Sequence, residues 1–390
     1  MRHSTRGEVD PFIVMDVMEA ARRAEAAGRH VIHMEVGQPG TGAPKAARDR
    51  LAAAMEAGPL GYTVALGLPD LRTAIAALYA EWYGLDLDPA RVIVTAGASG
   101  AFLLAFSALW DAGEKVGLGE PGYPSYRQIL RAMSLEPVAL PTSPESRFQP
   151  RPEDVTEDLS GLIVASPANP TGTMLGRDAL RALATACGDA GAAMVSDEIY
   201  HGLQYEGRAI SALEVTDEVY VVNSFSKYFS MTGWRLGWLV VPVAHVRLVE
   251  RLAQNMFICA PHASQVAALG ALSPEGRAEL DGHVRVYARN RQVLIDGLAA
   301  AGITRIAPAD GAFYVYADVS DFTDDSPAFA AEVLDEAGVA VTPGLDFDKA
   351  RGAVWLRFSY AGATDEIVEG VARVQDFMRR RASPSAAAGG

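Results

Sequence analysis

Residues 223–238 read NSFSKYFSMTGWRLGW. An apolar run, Val219-Tyr220-Val221-Val222, precedes them and has the length and composition of a buried strand. Ser224 and Ser226 come next, then Lys227, then Gly233 and Arg235. The chain has four lysines (Lys45, Lys115, Lys227, Lys349) against thirty arginines. An isolated loop lysine is ordinarily a surface residue. The neighbours of Lys227 weigh against that reading. Lysine, unlike arginine, can lose its proton when desolvated and attack a carbonyl. Hydroxyls just before it and a guanidinium after it are the groups that anchor a phosphate beside a reactive amine.

The rest of the chain sets the frame for that stretch. Its 390 residues, 49% hydrophobic and 21% charged, suffice for a large core and more than one domain. A formal charge of −14 argues against a nucleic-acid binder, which would carry a basic patch. The two cysteines, Cys187 and Cys259, form no CxxC, which argues against a disulfide framework or a thiolate zinc site and fits a reducing cytoplasm. No histidine falls in a metal-binding spacing such as HExxH. The polar start, MRHSTRGEVDP, has no apolar signal-peptide core. Residues 92–110 carry no charge and are long enough to span a bilayer, but Gly97-Ala98-Ser99-Gly100 interrupts them. They are expected to form a strand, a turn and a helix.

In chain order, a helix is expected over 10–28, a short strand over 30–35 and a helix over 44–57. The Gly- and Pro-rich segment 61–69 is a loop, and Pro69 and Asp70 open a helix to Tyr83. From residue 91, strands (91–95, 115–119, 162–165, 192–196, 219–222, 236–241) alternate with helices (99–111, 125–133, 177–189). The strands are continuous apolar runs, the mark of a parallel sheet covered on both faces. In such sheets ligands sit beyond the carboxyl ends of the strands. After residue 242 the chain turns helical to about 301. Strands over 312–319 and 354–359 follow, and Thr364 is expected to cap a last helix. The tail 383–390 is expected to be disordered.

Several strand ends carry polar groups. Gly97-Ala98-Ser99-Gly100 joins a strand to a helix and exposes N–H groups to an anion. Tyr123 stands in Pro121-Gly122-Tyr123-Pro124, and Asn169 in Asn169-Pro170-Thr171-Gly172. Turn chemistry or packing accounts for each of these taken singly. Asp197 ends a buried strand, where an unpaired carboxylate is costly. Arg357 interrupts the apolar strand Val354–Ser359, and its planar fork suits a carboxylate. Gly117-Leu-Gly119-Glu-Pro-Gly122 matches GxGxxG, the nicotinamide-site pattern. Pro121 falls where the cradling helix should begin, and no acidic residue ends a second strand about twenty residues on.

SxSK followed by MTGWR, together with the NPTG run at Asn169, resembles the lysine motif and neighbouring motifs of class I/II aminotransferases. These are the fold type I pyridoxal-phosphate enzymes that include aspartate aminotransferase. The resemblance runs from the Gly37 loop to Arg357. It implies an α/β fold: a three-layer large domain with a mostly parallel sheet (46–281), and a smaller α+β domain from both termini (1–45 and 282–382). It implies pyridoxal 5'-phosphate held covalently by Lys227, with the phosphate at Ala98, Ser99, Gly100, Ser224, Ser226 and Arg235. Tyr123 would stack on the pyridine ring and Asp197 would keep its nitrogen protonated. Asn169 and Tyr200 would bond the phenolic oxygen. Arg357, with Asn169 and the backbone of Gly37, would take the substrate carboxylate. Tyr62 would reach the phosphate of the other subunit in a homodimer with shared sites.

The activity so implied is ping-pong transfer of an amino group from an L-amino acid to a 2-oxo acid such as 2-oxoglutarate, without nucleic-acid or membrane partners. A β-eliminating C–S lyase or an amino-acid decarboxylase would share every motif. A cofactor-binding sensor is the non-enzyme alternative, but such regulators carry a DNA-binding extension not seen here. No motif names the amino donor. Phe12, Ile13 and Val14 are candidates for its side-chain pocket.

Overall fold

Strands that are apolar at every position need cover on both faces, and they have it. In the computed structural model, which describes residues 1–382, the chain begins with α1 (Ile13–Ala26), β1 (Ile32–His33), α2 (Lys45–Ala57) and α3 (Pro69–Tyr83). Next come β2 (Val92–Thr95), α4 (Gly97–Leu109), β3 (Lys115–Glu120), α5 (Pro124–Ala132), β4 (Glu136–Pro141) and β5 (Gly161–Ala165). Then follow α6 (Arg177–Ala190), β6 (Ala193–Asp197), β7 (Tyr220–Ser224), β8 (Gly237–Val240), α7 (Val246–Met256), α8 (His262–Ala271) and α9 (Pro274–Ala300). The last part holds β9 (Tyr314–Asp318), α10 (Ser326–Glu332), β10 (Val339–Ala340), β11 (Thr342–Pro343), β12 (Trp355–Ser359) and α11 (Thr364–Ala382).

Seven strands form the main sheet in the order β2-β8-β7-β6-β5-β3-β4. Successive residues of each strand face opposite ways. Ile93, Ile163, Val195, Val222 and Leu239 pack under Phe102 and Phe106 of α4, Leu130 of α5 and Val249 of α7. Val94, Leu162, Met194, Val221 and Trp238 pack against Tyr79 of α3, Leu183 of α6 and Ala268 of α8. The result is the expected α/β arrangement of three layers around a mostly parallel sheet.

Near the two ends of the chain, β1 pairs in parallel with β10, Ile32 opposite Val339. β12 lies antiparallel between β11 and β9. The Ser359 N–H donates to the Met34 carbonyl at 2.7 Å, which fixes the Gly37 loop against the strand that carries Arg357.

Four expectations need correction. β8 runs antiparallel to both neighbours, so an apolar run does not by itself give direction. β4 is an unforeseen strand at the sheet edge, with Pro137 and Pro141 and several half-exposed positions; proline is confined to such edges. The first strand is shorter than 30–35, at Ile32–His33. Thr364 is the first residue of α11, and its hydroxyl donates to Asn290 Oδ1 at 2.8 Å instead of capping the helix. Residues 92–110 form β2, a bend at Ala96 and α4, and no helix among the described residues is long and apolar enough to cross a membrane. The expectation for the tail 383–390 lies outside the described residues.

Candidate active site

The carboxyl ends of the parallel strands open onto one cavity between the sheet and the Gly37 loop. Its lining includes Gly37, Ala98, Ser99, Tyr123, Asn169, Asp197, Tyr200, Ser226, Lys227, Arg235 and Arg357. Because β8 runs backward, its first residues stand at this same end of the sheet. That direction brings Arg235 beside the turn that follows β2.

Lys227 lies on the loop after β7, and its Nζ donates to the Gly37 carbonyl at 2.5 Å. The rings of Tyr200 and Phe313 are 5.8 and 5.9 Å from Nζ. Burial pulls the Lys227 ammonium down to about 8, helped by Arg357 and Arg235 and opposed by Asp197. Asp197, at the end of β6, is 4% exposed. One of its oxygens accepts the Ile199 N–H at 3.0 Å and the other accepts the Tyr126 hydroxyl. Burial pushes its carboxyl up to about 6 in spite of these donors.

Arg357 projects from β12 and is buried. Its Nη1 donates to Asn169 Oδ1 at 2.9 Å and its Nη2 to the Glu35 carbonyl at 2.5 Å, while Nε has no partner. The guanidinium lies 4.3 Å from the centre of the Tyr314 ring and 4.7 Å from that of Phe347. No carboxylate pairs with it among the described residues. A buried arginine held by neutral oxygens and aromatic faces leaves its charge for an anionic ligand. Tyr200 shares a hydrogen bond with Tyr314 through their hydroxyls at 2.7 Å. At Gly37 any Cβ would fall 1.7 Å from the Tyr314 hydroxyl oxygen, so only glycine passes beneath that ring.

A second anion cradle lies at the start of α4. Gly97 has φ +72°, and a Cβ there would come 2.5 Å from Arg235 Nη2. A Cβ on Gly237 would come 3.0 Å from the Ala98 nitrogen. These two glycines let the guanidinium and β8 close against the first turn of the helix, whose N–H groups favour an anion. The first turn carries no acidic residue. Ser226 faces this cradle, whereas Ser224 lies behind it: its hydroxyl is 2.9 Å from Ser226 Oγ and 3.0 Å from the Leu236 carbonyl. Gly100 likewise is not part of the lining.

Tyr62 stands apart. It is 83% exposed and does not line the cavity of its own chain. Its loop is tied to the start of α8, where His262 Nδ1 meets the Gly61 carbonyl at 2.7 Å. Val64, Met256 and Ile258 are also exposed. Among the side-chain candidates, Phe12 and Val14 line the cavity and Ile13 does not; Met15 and Met18 join them. Helical spacing from Val14 would have pointed to Met18. Tyr126 was missed too, although it lies in the first turn of α5, three residues after Tyr123 at its N-cap. Nothing local in the sequence marks Tyr314.

The sequence profile of the aminotransferases of class I and II matches residues 29–374. The chain belongs to that family. It is 48% identical over 382 residues to valine–pyruvate aminotransferase of Mycobacterium tuberculosis, covering 97% of this chain and 98% of that protein. A crystal structure from Silicibacter pomeroyi, of a protein assigned to the aminotransferases, is 64% identical with a TM-score of 0.93, covering 97% of this chain and 100% of that one. Aspartate aminotransferase of Thermus thermophilus, solved with maleate, is 32% identical with a TM-score of 0.90, covering 96% and 100%. The enzyme is an aminotransferase, transferring amino groups between amino acids and 2-oxo acids. Members of the family depend on pyridoxal phosphate. The residues present fit that group. The aminotransferase has a cradle of glycines, a hydroxyl and a guanidinium that suits a phosphate, a partly buried lysine that suits an aldehyde, and a buried carboxylate, without a cation partner among the described residues, that suits a pyridine nitrogen.

Proposed function

We propose that the aminotransferase holds pyridoxal phosphate in this cavity and passes the amino group of an aliphatic L-amino acid to a monocarboxylic 2-oxo acid. The observation that carries this reading is the convergence of Lys227, Arg235 and Arg357 on a cavity whose one lining carboxylate, among the described residues, is Asp197. Bound there, the cofactor supplies an electron sink for the bonds of the substrate Cα.

The side chains then divide the work. Arg235, Ser226 and the first-turn N–H groups of α4, from Ala98 to Gly100, hold the phosphate, and Ser224 orients Ser226. Tyr123 would cover one ring face, Asn169 and Tyr200 would bond the phenolic oxygen, and Asp197 would keep the pyridine nitrogen protonated. Arg357, Asn169 and the Gly37 N–H orient the substrate carboxylate. Lys227 would hold the cofactor aldehyde and, once its amine is freed, would carry the proton from the substrate Cα to the aldehyde-derived carbon of the cofactor, and in the opposite direction for the 2-oxo acid. An amine held down near 8 is suited to that exchange around neutral pH.

Substrate class follows from what is left over. With Arg235 on the phosphate and Arg357 on the carboxylate, the remaining lining near α1 is Phe12, Val14, Met15 and Met18. That surface favours an aliphatic side chain and offers no cation to a distal carboxylate. The 48% identity to valine–pyruvate aminotransferase supports the same choice. We therefore place a pyruvate-like acceptor ahead of 2-oxoglutarate. The reading includes a large unit (46–281), a small unit from both termini (1–45 and 282–382), a homodimer in which Tyr62 reaches the neighbouring site, and a cytoplasmic location. The exposed Tyr62, Val64, Met256 and Ile258 support the dimer.

The test is a panel of amino donors against pyruvate and 2-oxoglutarate, with both products measured. Valine or leucine with pyruvate should lead, and alanine should appear in step with the branched 2-oxo acid. Best turnover with aspartate and 2-oxoglutarate would overturn the substrate class. Release of ammonia or carbon dioxide as the main outcome would favour the lyase or decarboxylase.

A further inference from the structure

α1 reaches the cavity without a cap of its own. Phe12 occupies the N-cap position and gives no side-chain hydrogen bond. The first two amide groups of the helix are bonded from the other end of the chain. Ile13 N–H donates to Asp346 Oδ1 at 3.0 Å, and Val14 N–H donates to Asp346 Oδ2 at 3.3 Å. Asp346 is 1% exposed. A carboxylate at a helix N-terminus satisfies orphan donors and favourably meets the helix dipole.

The two ends of α1 are held by different chemistry. Its later turns sit on apolar contacts, with Ala21 packed among Val31, Leu334 and Ala340. Its first turn carries Val14 and Met15, with Met18 one turn further on, all lining the cavity. Asp346 belongs to the short turn after β11, and β11 pairs with β12 at Thr342 opposite Arg357. The next residue, Phe347, is one of the rings against the Arg357 guanidinium. One turn of chain thus touches both the arginine proposed for the substrate carboxylate and the helix that faces the substrate side chain.

We propose that Asp346 is a positioning residue for substrate specificity: its carboxylate caps α1 and thereby fixes Val14 and Met18 at the distance that accepts a branched aliphatic side chain. The proposal rests on the aliphatic-donor reading. A short donor such as alanine does not extend to α1 and should be indifferent to the cap. Valine and leucine should depend on it.

The experiment compares the cofactor-loaded parent, Asp346→Ala and Asp346→Asn. Single-turnover conversion of valine and of alanine to their 2-oxo acids is measured over a range of donor concentrations, with amide hydrogen exchange across residues 13–26. Losing a helix cap should lower kcat/KM for valine about tenfold in Asp346→Ala, while alanine changes by about twofold or less. Asp346→Asn keeps one acceptor oxygen and should recover most of the valine activity. The first amides of α1 should exchange faster in Asp346→Ala, and the Lys227 loop should not. Equal losses for both donors, or unchanged valine activity, would overturn the proposal. A parent that uses neither valine nor leucine would instead overturn the donor class, and the exchange result would still decide whether Asp346 holds α1.

Discussion

Tyr126 gives its hydroxyl to Asp197 in the lining of the cavity. Both side chains are buried, so the bond is made in a low-dielectric setting, where a donor to a carboxylate counts for more than it would in water. It holds one carboxylate oxygen and leaves the direction of the other to the backbone of Ile199. Tyr126→Phe keeps the ring and deletes the donor. Bonds of this charged type contribute about 1.5–3 kcal/mol. We expect kcat to fall about tenfold with a smaller change in KM, and cofactor affinity to weaken. Unchanged kcat and unchanged cofactor binding would show that Asp197 needs no help from Tyr126.

Lys227 stores strain that pH relieves. Its folded-state pKa, about 8, lies below the ordinary 10.5, chiefly through burial. Between those values the unfolded chain binds more protons than the folded one, so stability rises with pH across that window. The cost is fully present below pH 8 and gone above 10.5. In the cofactor-free protein, Lys227→Met should be more stable than the parent at pH 7, by on the order of 2 kcal/mol. The gap should narrow by pH 9.5. Denaturant unfolding at both pH values checks this, and a variant less stable at pH 7 would contradict it.

Arg357 has its Nη groups on neutral oxygens and its faces on aromatic rings. Arg357→Ala should lower kcat/KM by about 2–5 kcal/mol, mainly through KM, for amino acids and 2-oxo acids alike. Arg357→Lys should restore little, because a point charge cannot reproduce the planar fork. Steady-state kinetics with several substrates decides the matter. An unchanged KM throughout would make Arg357 a structural residue.

Tyr62 tests the assembly. A bulky or charged Tyr62 variant that blocks the site, and Lys227→Ala, should each be inactive. In the proposed homodimer, one site of a mixed pair would take its lysine from the first and its tyrosine from the second. Random mixing should return up to roughly one quarter of parental activity. Demonstrated subunit exchange without recovery would place Tyr62 outside the shared site.

Sequence reading reached the strand-end residues and stopped where partners come from far along the chain. Asp197, Asn169 and Lys227 were legible because each follows an apolar run at a place where a polar side chain needs a reason. Arg235 was legible as a residue, but its position depends on β8 running backward, which its composition does not encode. Ser224 and Ser226 look alike in the motif, yet only Ser226 faces the cavity, since the chain turns between them. The edge strand β4 was hidden by its prolines. Asp346 and Tyr314 act through contacts with α1 and the Gly37 loop, hundreds of residues away. No local periodicity reports such contacts.

The central claim is that Lys227 is the amine that captures the cofactor. The chain offers four lysines, which makes the test direct. Borohydride reduction of the cofactor-loaded enzyme, followed by digestion and mass mapping, fixes the cofactor on the lysine that held it. The account predicts the label on Lys227 and its loss in Lys227→Ala, which should still bind the cofactor noncovalently through Ser226 and Arg235. A label on Lys45, Lys115 or Lys349 would contradict it.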